Sequence, residues 1–275
     1  MNGKSSIFVR HIAIPQDHGS WVFLLSPLLI GLFAGGTFEW ASAFLVVTAM
    51  MAFLIRQPVT VAVKAYAGRR PRTELPAARF WILVYGLVAL AGLAGLVAAG
   101  DWFVLLLAAP GLPVFAWHLY LVGRRAERKQ AGVEILATGV LALAAPAALW
   151  VGKGTYDPLG WVLWLLAWLQ SAASIVHAYL RLEQRGLPEV PPRPVRWKMG
   201  RRALLYTSFN LGATLLAGWS GWLPGLAFLP YLLQWLETLW GTERPAVGWK
   251  PARIGVRQLI VSTLFTVLFI LFWRP

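Results

Sequence analysis

The feature that most constrains this chain is a succession of apolar stretches, each about as long as a bilayer core is thick. A helix needs about 20 mostly apolar residues to span that core. Gly, Pro and charged residues separate the stretches and set their limits. The pattern predicts nine membrane-spanning helices. Their bounds are Ser20–Gly36, Trp40–Val63, Ala78–Ala99, Trp102–Leu121, Gly132–Val151, Leu159–Leu180, Ala203–Trp219, Trp222–Trp240 and Gln258–Phe272.

The composition agrees with a polytopic membrane protein. Hydrophobic residues make up 58% of the 275 residues and charged residues 13%, well below the charged share of soluble domains. The sequence contains no cysteine, which excludes disulfides, thiolate catalysis and cysteine-ligated metals. No cleavage site follows the first apolar run, so no signal peptide is predicted. We expect one all-α membrane domain over residues 1–275, with a short cytoplasmic tail, 1–19.

The basic residues divide unevenly between the two ends of the predicted spans. With the N-terminus inside, 23 of the 25 Lys and Arg residues fall in cytoplasmic segments, and only Lys153 and Arg274 fall outside. This asymmetry is typical of membrane proteins and predicts an N-in, C-out topology. It also accounts for the net charge of +14, which favours anionic membrane lipids as partners. No nucleic-acid partner is predicted.

A first group of polar candidates lies near the end of the second span. Arg56, Thr60 and Lys64 are spaced i, i+4, i+8 and therefore share one helix face. Gln57 lies beside them, and Pro58 predicts a kink because it frees a backbone carbonyl. Ionisable groups within a membrane are costly and are candidates for function. The alternative is that the cations only extend towards lipid headgroups.

A second group forms a polar stripe on the sixth span. Gln170, Ser174, His177 and Arg181 are spaced i, i+4, i+7, i+11 on an otherwise apolar helix. Such a stripe predicts a face that points into the bundle or a wet cavity. Hydrogen bonding between helices, without any ligand, is the alternative. Together with the residues around Arg56, the stripe predicts one polar site at the cytoplasmic mouth of the bundle.

Three further residues complete the candidate site. Asn210 lies on a polar face of the seventh span. Glu237 is a carboxylate within the eighth span and is expected to pair with Arg56 or Arg181. His18, before the first span, is either a neighbour of that helix's cap or part of the site. The sequence has no paired carboxylates, zinc-type histidine spacing or phosphate-binding loop, so no catalytic residue, metal ligand or cofactor is predicted.

Two stretches resemble a known family. The segment Pro15–Trp21, with the sequence PQDHGSW, resembles the opening of the YwiC-like bacterial membrane proteins, and Arg56-Gln57-Pro58 fits the same family. The resemblance implies a location in the bacterial cytoplasmic membrane, and it carries no assigned activity.

The wider architecture is similar to that of the UbiA superfamily of intramembrane prenyltransferases. That family has nine helices around a cavity, with Asp-rich motifs at the cytoplasmic ends of helices two and six that hold magnesium and an isoprenyl diphosphate. The matching positions here carry basic or neutral side chains, so no catalytic residue transfers. Magnesium prefers carboxylate, phosphate and water oxygens. The matching residues are Arg56, Gln57, Thr60, Lys64, His177 and Arg181.

These observations lead to one main hypothesis and two alternatives. The main hypothesis is a UbiA-like cavity that binds an anionic amphiphile, such as an isoprenoid or lipid phosphate, through cations and without magnesium. The first alternative is a small anion or lipid transporter. The second is a non-catalytic assembly partner, marked by an exposed small-residue face at Ala91, Gly92, Ala94 and Gly95. Whether the protein is an enzyme stays open.

Overall fold

The computed structural model describes residues 9–15, 18–124 and 131–273, and only the backbone at His18. Helices are the only regular secondary structure in these ranges, which confirms the predicted all-α class. The α-helices are α1 Arg10–Ala13, α2 His18–Gly35, α3 Trp40–Tyr66, α4 Leu75–Ala98, α5 Ala108–Gly123, α6 Ala131–Ala142, α7 Ala144–Lys153, α8 Leu159–Gln184, α9 Arg193–Trp219, α10 Leu229–Glu243 and α11 Pro251–Phe272. Short 3₁₀ helices cover Arg72–Glu74 and Trp102–Leu107.

Six helical segments within the described ranges are long and apolar enough to cross a membrane. They are Trp40–Tyr66, Arg72–Ala98, Trp102–Gly123, Ala131–Lys153, Leu159–Gln184 and Pro251–Phe272. They support the predicted multi-pass membrane protein. Helix α2 is apolar but shorter, α10 has 15 residues, and α9 begins with a basic segment. The count of nine spans and the N-in, C-out orientation stay predictions.

Two helix boundaries differ from the predicted ones. The eighth predicted span is helical only from Leu229, because Gly221 adopts a φ of 78° and Pro224 follows in the turn. Helix α11 begins at Pro251 rather than Gln258. Proline at the first helical position costs no hydrogen bond, so α11 extends past the basic residues that were expected to lie in a loop.

The fifth predicted span is interrupted at Leu143, between α6 and α7. Pro146 causes the interruption, because it has no N–H to donate to the carbonyl of Ala142 one turn earlier. The sequence of α7 is rich in alanine and glycine, and all residues from Ala144 to Gly152 are buried. This small helix therefore lies in the centre of the bundle.

Helices α2 and α7 pack closely through small residues. A Cβ added at Gly31 would lie 2.2 Å from the Ala145 carbonyl oxygen, and one at Gly35 would lie 2.9 Å from the Gly152 Cα. Small residues four positions apart allow helix backbones to approach in membranes. The two glycines of α2 are therefore required by the close approach of α7.

The small-residue face expected on the third span is partly used inside the chain. A Cβ at Gly92 would meet the Thr48 hydroxyl, and one at Gly95 would meet the Phe44 ring. Both contacts are with α3, which packs along α4. Only Ala91 and Ala94 are exposed. The face is mainly a contact between α3 and α4, which weakens the assembly-partner alternative.

Apolar side chains cover the outside of the bundle. Leu83, Leu90 and Phe209 are each at least 60% exposed, as expected of residues that face lipid. Four tryptophans at helix ends on the predicted outer side are also exposed, in line with an interfacial belt. They are Trp40, Trp102, Trp219 and Trp222. Trp150 also lies near the end of a predicted span, but it is fully buried and donates its indole N–H to the Asp157 carbonyl oxygen at 2.7 Å.

Candidate functional site

The polar stripe of α8 lies inside the bundle. Gln170, Ser174, His177 and Arg181 are each at most 9% exposed. Side chains of α10 and α11 meet the stripe and enclose a cavity with it. The prediction that the stripe faces the interior is therefore confirmed.

We call this space the polar cavity. About 20 Å³ of it is open to the centres of water-sized molecules, so it admits a small polar group rather than the body of a lipid. Its lining includes Ser174, His177 and Arg181 from α8, Gln234 and Glu237 from α10, and Arg257 from α11.

Glu237 forms a two-pronged ion pair in the cavity wall. Its carboxylate oxygens accept hydrogen bonds from Nε and Nη2 of Arg257 at 2.6 and 2.7 Å. The expected ion pair is present, but the predicted partners, Arg56 and Arg181, were wrong. Arg257 was assigned to a cytoplasmic loop, because the ninth span was predicted to begin one residue later. Pro251, a good first residue for a helix, was the signal that could have revealed the longer α11.

Arg181 joins α8 to the end of α10. Its Nη1 donates to the carbonyl oxygens of Gly241 and Arg244, each at 2.7 Å, and to Oε1 of Gln184 at 2.9 Å. Carbonyls at a helix C-terminus lack helical partners and carry partial negative charge. These acceptors therefore hold a buried guanidinium group in place without a carboxylate bonded to it.

Two indole rings also contact the cations of this site. The Arg181 guanidinium lies 5.3 Å from the Trp240 ring centre and 4.8 Å from that of Trp249. The Arg257 guanidinium lies 3.6 Å from the Trp240 ring centre. Cation–π attraction is stronger where the cation is desolvated, as it is at the buried Arg181. Neither Trp240 nor Trp249 was among the site residues predicted from the sequence, so both contributions were missed.

His177 lies between the charged groups and a tight helix contact. Its Nε2 is 3.8 Å from Oε1 of Glu237. A Cβ added at Gly241 would lie 2.6 Å from the His177 ring, so glycine is needed where α10 passes α8. The imidazole is therefore fixed in position by packing and lies beside the ion pair.

Three buried polar atoms around the polar cavity have no hydrogen-bond partner within the described part of the chain. They are Nη2 of Arg181, Nδ1 of His177 and Oε1 of Gln234. Buried polar atoms are nearly always satisfied, by protein, water or ligand. The cavity lining also holds two guanidinium groups and one carboxylate, a surplus of one positive charge when His177 is neutral. The described lining therefore combines a surplus positive charge with three unsatisfied polar atoms.

An apolar groove adjoins the polar cavity. The two share Trp249, Arg257 and Val261 in their linings, and Ile260 and Leu264 continue the groove along α11. The groove is larger, with about 650 Å³ open to the centres of water-sized molecules. The polar cavity and the apolar groove therefore have walls in common.

The structure does not bring the two predicted basic stretches together. Arg56 lines a separate, mostly apolar cavity of about 290 Å³ between α3, α5 and α6, with Phe115 and His118. Its guanidinium lies 5.0 Å from the Phe53 ring centre. This cavity and the polar cavity have no lining residue in common among the described residues. The cause is that α3 packs mainly along α4, whereas α10 and α11 cover the stripe of α8.

The other candidates of the second span point to neighbouring segments. Gln57 donates from Nε2 to the carbonyl oxygen of His11 at 2.8 Å and so anchors α1. Thr60 and Lys64 are half-buried on α3. None of these three lines the polar cavity. Whether they bind a ligand stays a prediction.

Asn210 and His18 also lie apart from the cavity lining. Asn210 is buried and donates from Nδ2 to the Leu169 carbonyl oxygen at 2.9 Å, so it joins α9 to α8. His18 is the first residue of α2, and its side chain lies outside the described set. Asp17, the neighbour of His18 that is expected to cap this helix, also lies outside the described residues.

A second acidic residue, Glu243, is the last residue of α10. It accepts a hydrogen bond from the indole N–H of Trp197 at 2.8 Å and lies 3.1 Å from Nη2 of Arg193. The Trp197 hydrogen bond and the adjacent arginines lower the pKa of Glu243 below its ordinary value. Glu243 therefore stays ionised and joins α9 to α10. Because it pairs with Arg193, it does not cancel the surplus positive charge of the polar cavity.

Comparison with known proteins gives one family and one curated relative. The model of the YwiC-like protein family matches residues 14–149. The curated relative, described as "Uncharacterized protein YwiC" from Bacillus subtilis (strain 168), is 27% identical over 267 residues. The alignment covers 94% of this chain and 97% of the relative. No solved structure matches the chain. The resemblance to the YwiC-like family that the sequence predicted is thereby confirmed.

Proposed function

We propose that this YwiC-like membrane protein binds an anionic amphiphile between α8, α10 and α11. The headgroup occupies the polar cavity, and the apolar tail lies in the adjoining groove. One observation carries the proposal: three unsatisfied buried polar atoms surround a cavity that shares three wall residues with the groove.

The electrostatics favour an anion. Arg181 has an unsatisfied nitrogen, and its other terminal nitrogen is already bonded to neutral oxygens. Glu237 is bonded to Arg257, so it does not neutralise Arg181 directly. Charge-assisted hydrogen bonds between guanidinium and anionic oxygens are among the stronger polar interactions in proteins. An anion entering the cavity would compensate a buried charge that now relies on dipoles and aromatic rings.

The proposal gives the cations the role that magnesium has in the UbiA superfamily. Glu237 is the only carboxylate in the described cavity lining, and it is engaged by Arg257. The donor set of the cavity therefore suits an anion better than a divalent cation. A UbiA-like arrangement around the cavity remains part of this proposal, without transfer of catalytic residues.

Ligand-dependent thermal stabilisation in nanodiscs tests the proposal. We expect an alkyl or isoprenyl phosphate or diphosphate to raise Tm, with the same rise in magnesium and in a chelator. A neutral alcohol with the same tail is the ligand control. Equal stabilisation by the alcohol, or none by any anionic amphiphile, would overturn the proposal.

The variant Arg181→Lys tests the residue that carries the proposal. A lysine retains the charge and can bond to the carbonyls of α10, but it lacks the second terminal nitrogen, which in Arg181 is buried and unsatisfied. We expect the stabilisation by ligand to be lost, while Arg193→Lys, on the exposed start of α9, retains it. Loss of binding in Arg56→Lys as well would instead support the single two-stretch site predicted from the sequence.

A further inference from the structure

We infer that the headgroup bound in the polar cavity is a phosphate monoester carrying one proton. The inference rests on the proposed function and names its ligand class. Three features of the cavity lead to it: the pattern of donors and acceptors, the surplus charge and the size.

The first feature is that the cavity needs a ligand that both accepts and donates hydrogen bonds. Nη2 of Arg181 can only donate, and Oε1 of Gln234 can only accept. The orientation of the Gln234 amide is set, because its Nε2 donates to the Gln170 carbonyl oxygen at 2.9 Å. A second bond from the same nitrogen reaches the Ser174 hydroxyl at 3.0 Å. A carboxylate or fully ionised phosphate has no proton for Oε1 of Gln234, whereas a singly protonated phosphate has one.

The second feature is the charge balance. Arg181, Arg257 and Glu237 are the charged residues of the described cavity lining, so one positive charge is in surplus. A phosphate monoester with one proton carries one negative charge and balances it. A diphosphate would leave uncompensated negative charge in a buried site, which is costly.

The third feature is the size. About 20 Å³ open to the centres of water-sized molecules is the scale of one tetrahedral group and too small for two linked phosphates. The groove beyond Trp249 and Val261 begins at the same wall and receives the tail. A single phosphate at the end of an apolar tail therefore fits the whole site.

Affinity measured against pH tests the inference on the native protein. Dodecyl phosphate and its methyl diester, titrated by calorimetry into nanodiscs, differ in that only the monoester gains a proton in this range. The second pKa of a phosphate monoester is about 6, so the singly protonated fraction falls about 25-fold from about pH 5.5 to about pH 7.5, and we expect the affinity of the monoester to fall by about the same factor. The diester should bind more weakly, with no such fall.

The diester also reports on protein groups. The charged and titratable residues facing the cavity are His177 and Arg181 on α8, Glu237 on α10 and Arg257 on α11. A parallel fall for the diester would show that one of these groups titrates, and would overturn the inference. Tighter binding of dodecyl diphosphate would also overturn it. Either result leaves the proposed function intact, whereas no binding of any ligand would remove both.

The variant Gln234→Met provides a second test. It removes the acceptor, and we expect the preference for monoester over diester to fall about tenfold. If the variant does not fold, the comparison of monoester with diester on the native protein still decides. Farnesyl phosphate, compared with dodecyl phosphate, distinguishes an isoprenoid source of the phosphate from an alkyl lipid source. If Gln234→Met still prefers the monoester over the diester to the same extent, the assigned hydrogen bond from the phosphate to Oε1 of Gln234 is contradicted.

Discussion

The two cations that line the polar cavity are stabilised in different ways. Arg257 pairs with a carboxylate, whereas Arg181 relies on carbonyl oxygens and indole rings. In a region of low dielectric, a charge without a counter-charge depends on every dipole around it. We therefore expect the energetics of the site to depend on geometry more than on the number of charges.

The ion pair between Glu237 and Arg257 permits a double-mutant cycle. Arg257→Gln leaves a largely buried carboxylate with His177 and Arg181 as its remaining titratable or charged neighbours, and it should destabilise the protein by about 1–2 kcal/mol, less than a fully buried pair because Arg257 is partly exposed. Glu237→Gln should cost less, since Arg257 keeps its contact with Trp240. The double variant should be more stable than the two single losses predict. Thermal unfolding in nanodiscs measures all four species.

The exposed pair of Arg193 and Glu243 is the control for that cycle. Arg193 has a side chain 70% exposed, so its replacement by glutamine should leave Tm nearly unchanged. Strict additivity at Glu237 and Arg257 would show that their geometry carries no coupling.

The sequence predicted the polar stripe of α8 better than it predicted the residues of other segments that complete the polar cavity. Helical spacing alone placed His177 and Arg181 on one buried face. Arg257 and Trp249 follow a loop rich in Gly and Pro, where periodicity gives no signal, and their places depend on how that loop returns to α8. Tertiary contacts determine how the loop returns to α8. One of them is the hydrogen bond that the side-chain oxygen of Gln184 accepts from the Ala246 N–H at 3.2 Å.

Among the elements, the contact between α2 and α7 is the most demanding. Gly31→Ala should destabilise the protein by about 1–3 kcal/mol, because the added carbon overlaps the Ala145 carbonyl oxygen and forces the helices apart. Gly19→Ala is the matched control on the same helix, since nothing in the described part of the chain lies within 4 Å of its added carbon. Unfolding midpoints of both variants give the comparison. Equal effects would mean that helix propensity, rather than the close approach, determines the loss.

The turn before α8 carries a pH-dependent contact. Asp157 accepts a hydrogen bond from the Lys153 ammonium group and another from the Leu159 N–H at 2.8 Å. The Lys153 bond, followed by the backbone bond, lowers the pKa of Asp157 below its ordinary 3.8. Because the folded-state pKa is depressed, this stabilisation is present at neutral pH and is lost as the pH falls through that pKa.

We therefore expect Asp157→Asn to be less stable than the native protein at neutral pH, by about 1 kcal/mol. The difference should close once the pH is well below 3.8. Unfolding curves recorded along a pH series measure the gap. A gap that is constant with pH would assign the loss to the shape of the turn and not to the charge.

The helices were predicted more securely than their interruptions. Long apolar runs identify α3, α4 and α8, because length and hydropathy determine a spanning helix. The break between α6 and α7 was missed because an apolar run continues through Pro146, and prolines within membrane helices do not always end them. Similarly, the late start of α10 depends on the turn around Gly221 and Pro224, which hydropathy does not resolve.

For the whole molecule, the orientation in the membrane is the main open prediction. Thr155 and Glu189 are both exposed and lie beyond opposite ends of α8. Because the sequence contains no cysteine, the unaltered protein serves as the negative control for maleimide labelling. In intact cells, an impermeant maleimide should label Thr155→Cys, and it should label Glu189→Cys only after permeabilisation. The reverse pattern would contradict the N-in topology.

The contact between α2 and α11 affects how the protein assembles during synthesis. Ser26 on α2 and Thr266 on α11 share a hydrogen bond of 2.5 Å, and α2 also packs against the buried α7. On the ribosome, α2 emerges long before α11, so it waits in the membrane without its final neighbour. The region matched by the family model ends inside α7. A nascent chain that stops there would leave uncovered the face of α2 that packs against α11 in the finished protein.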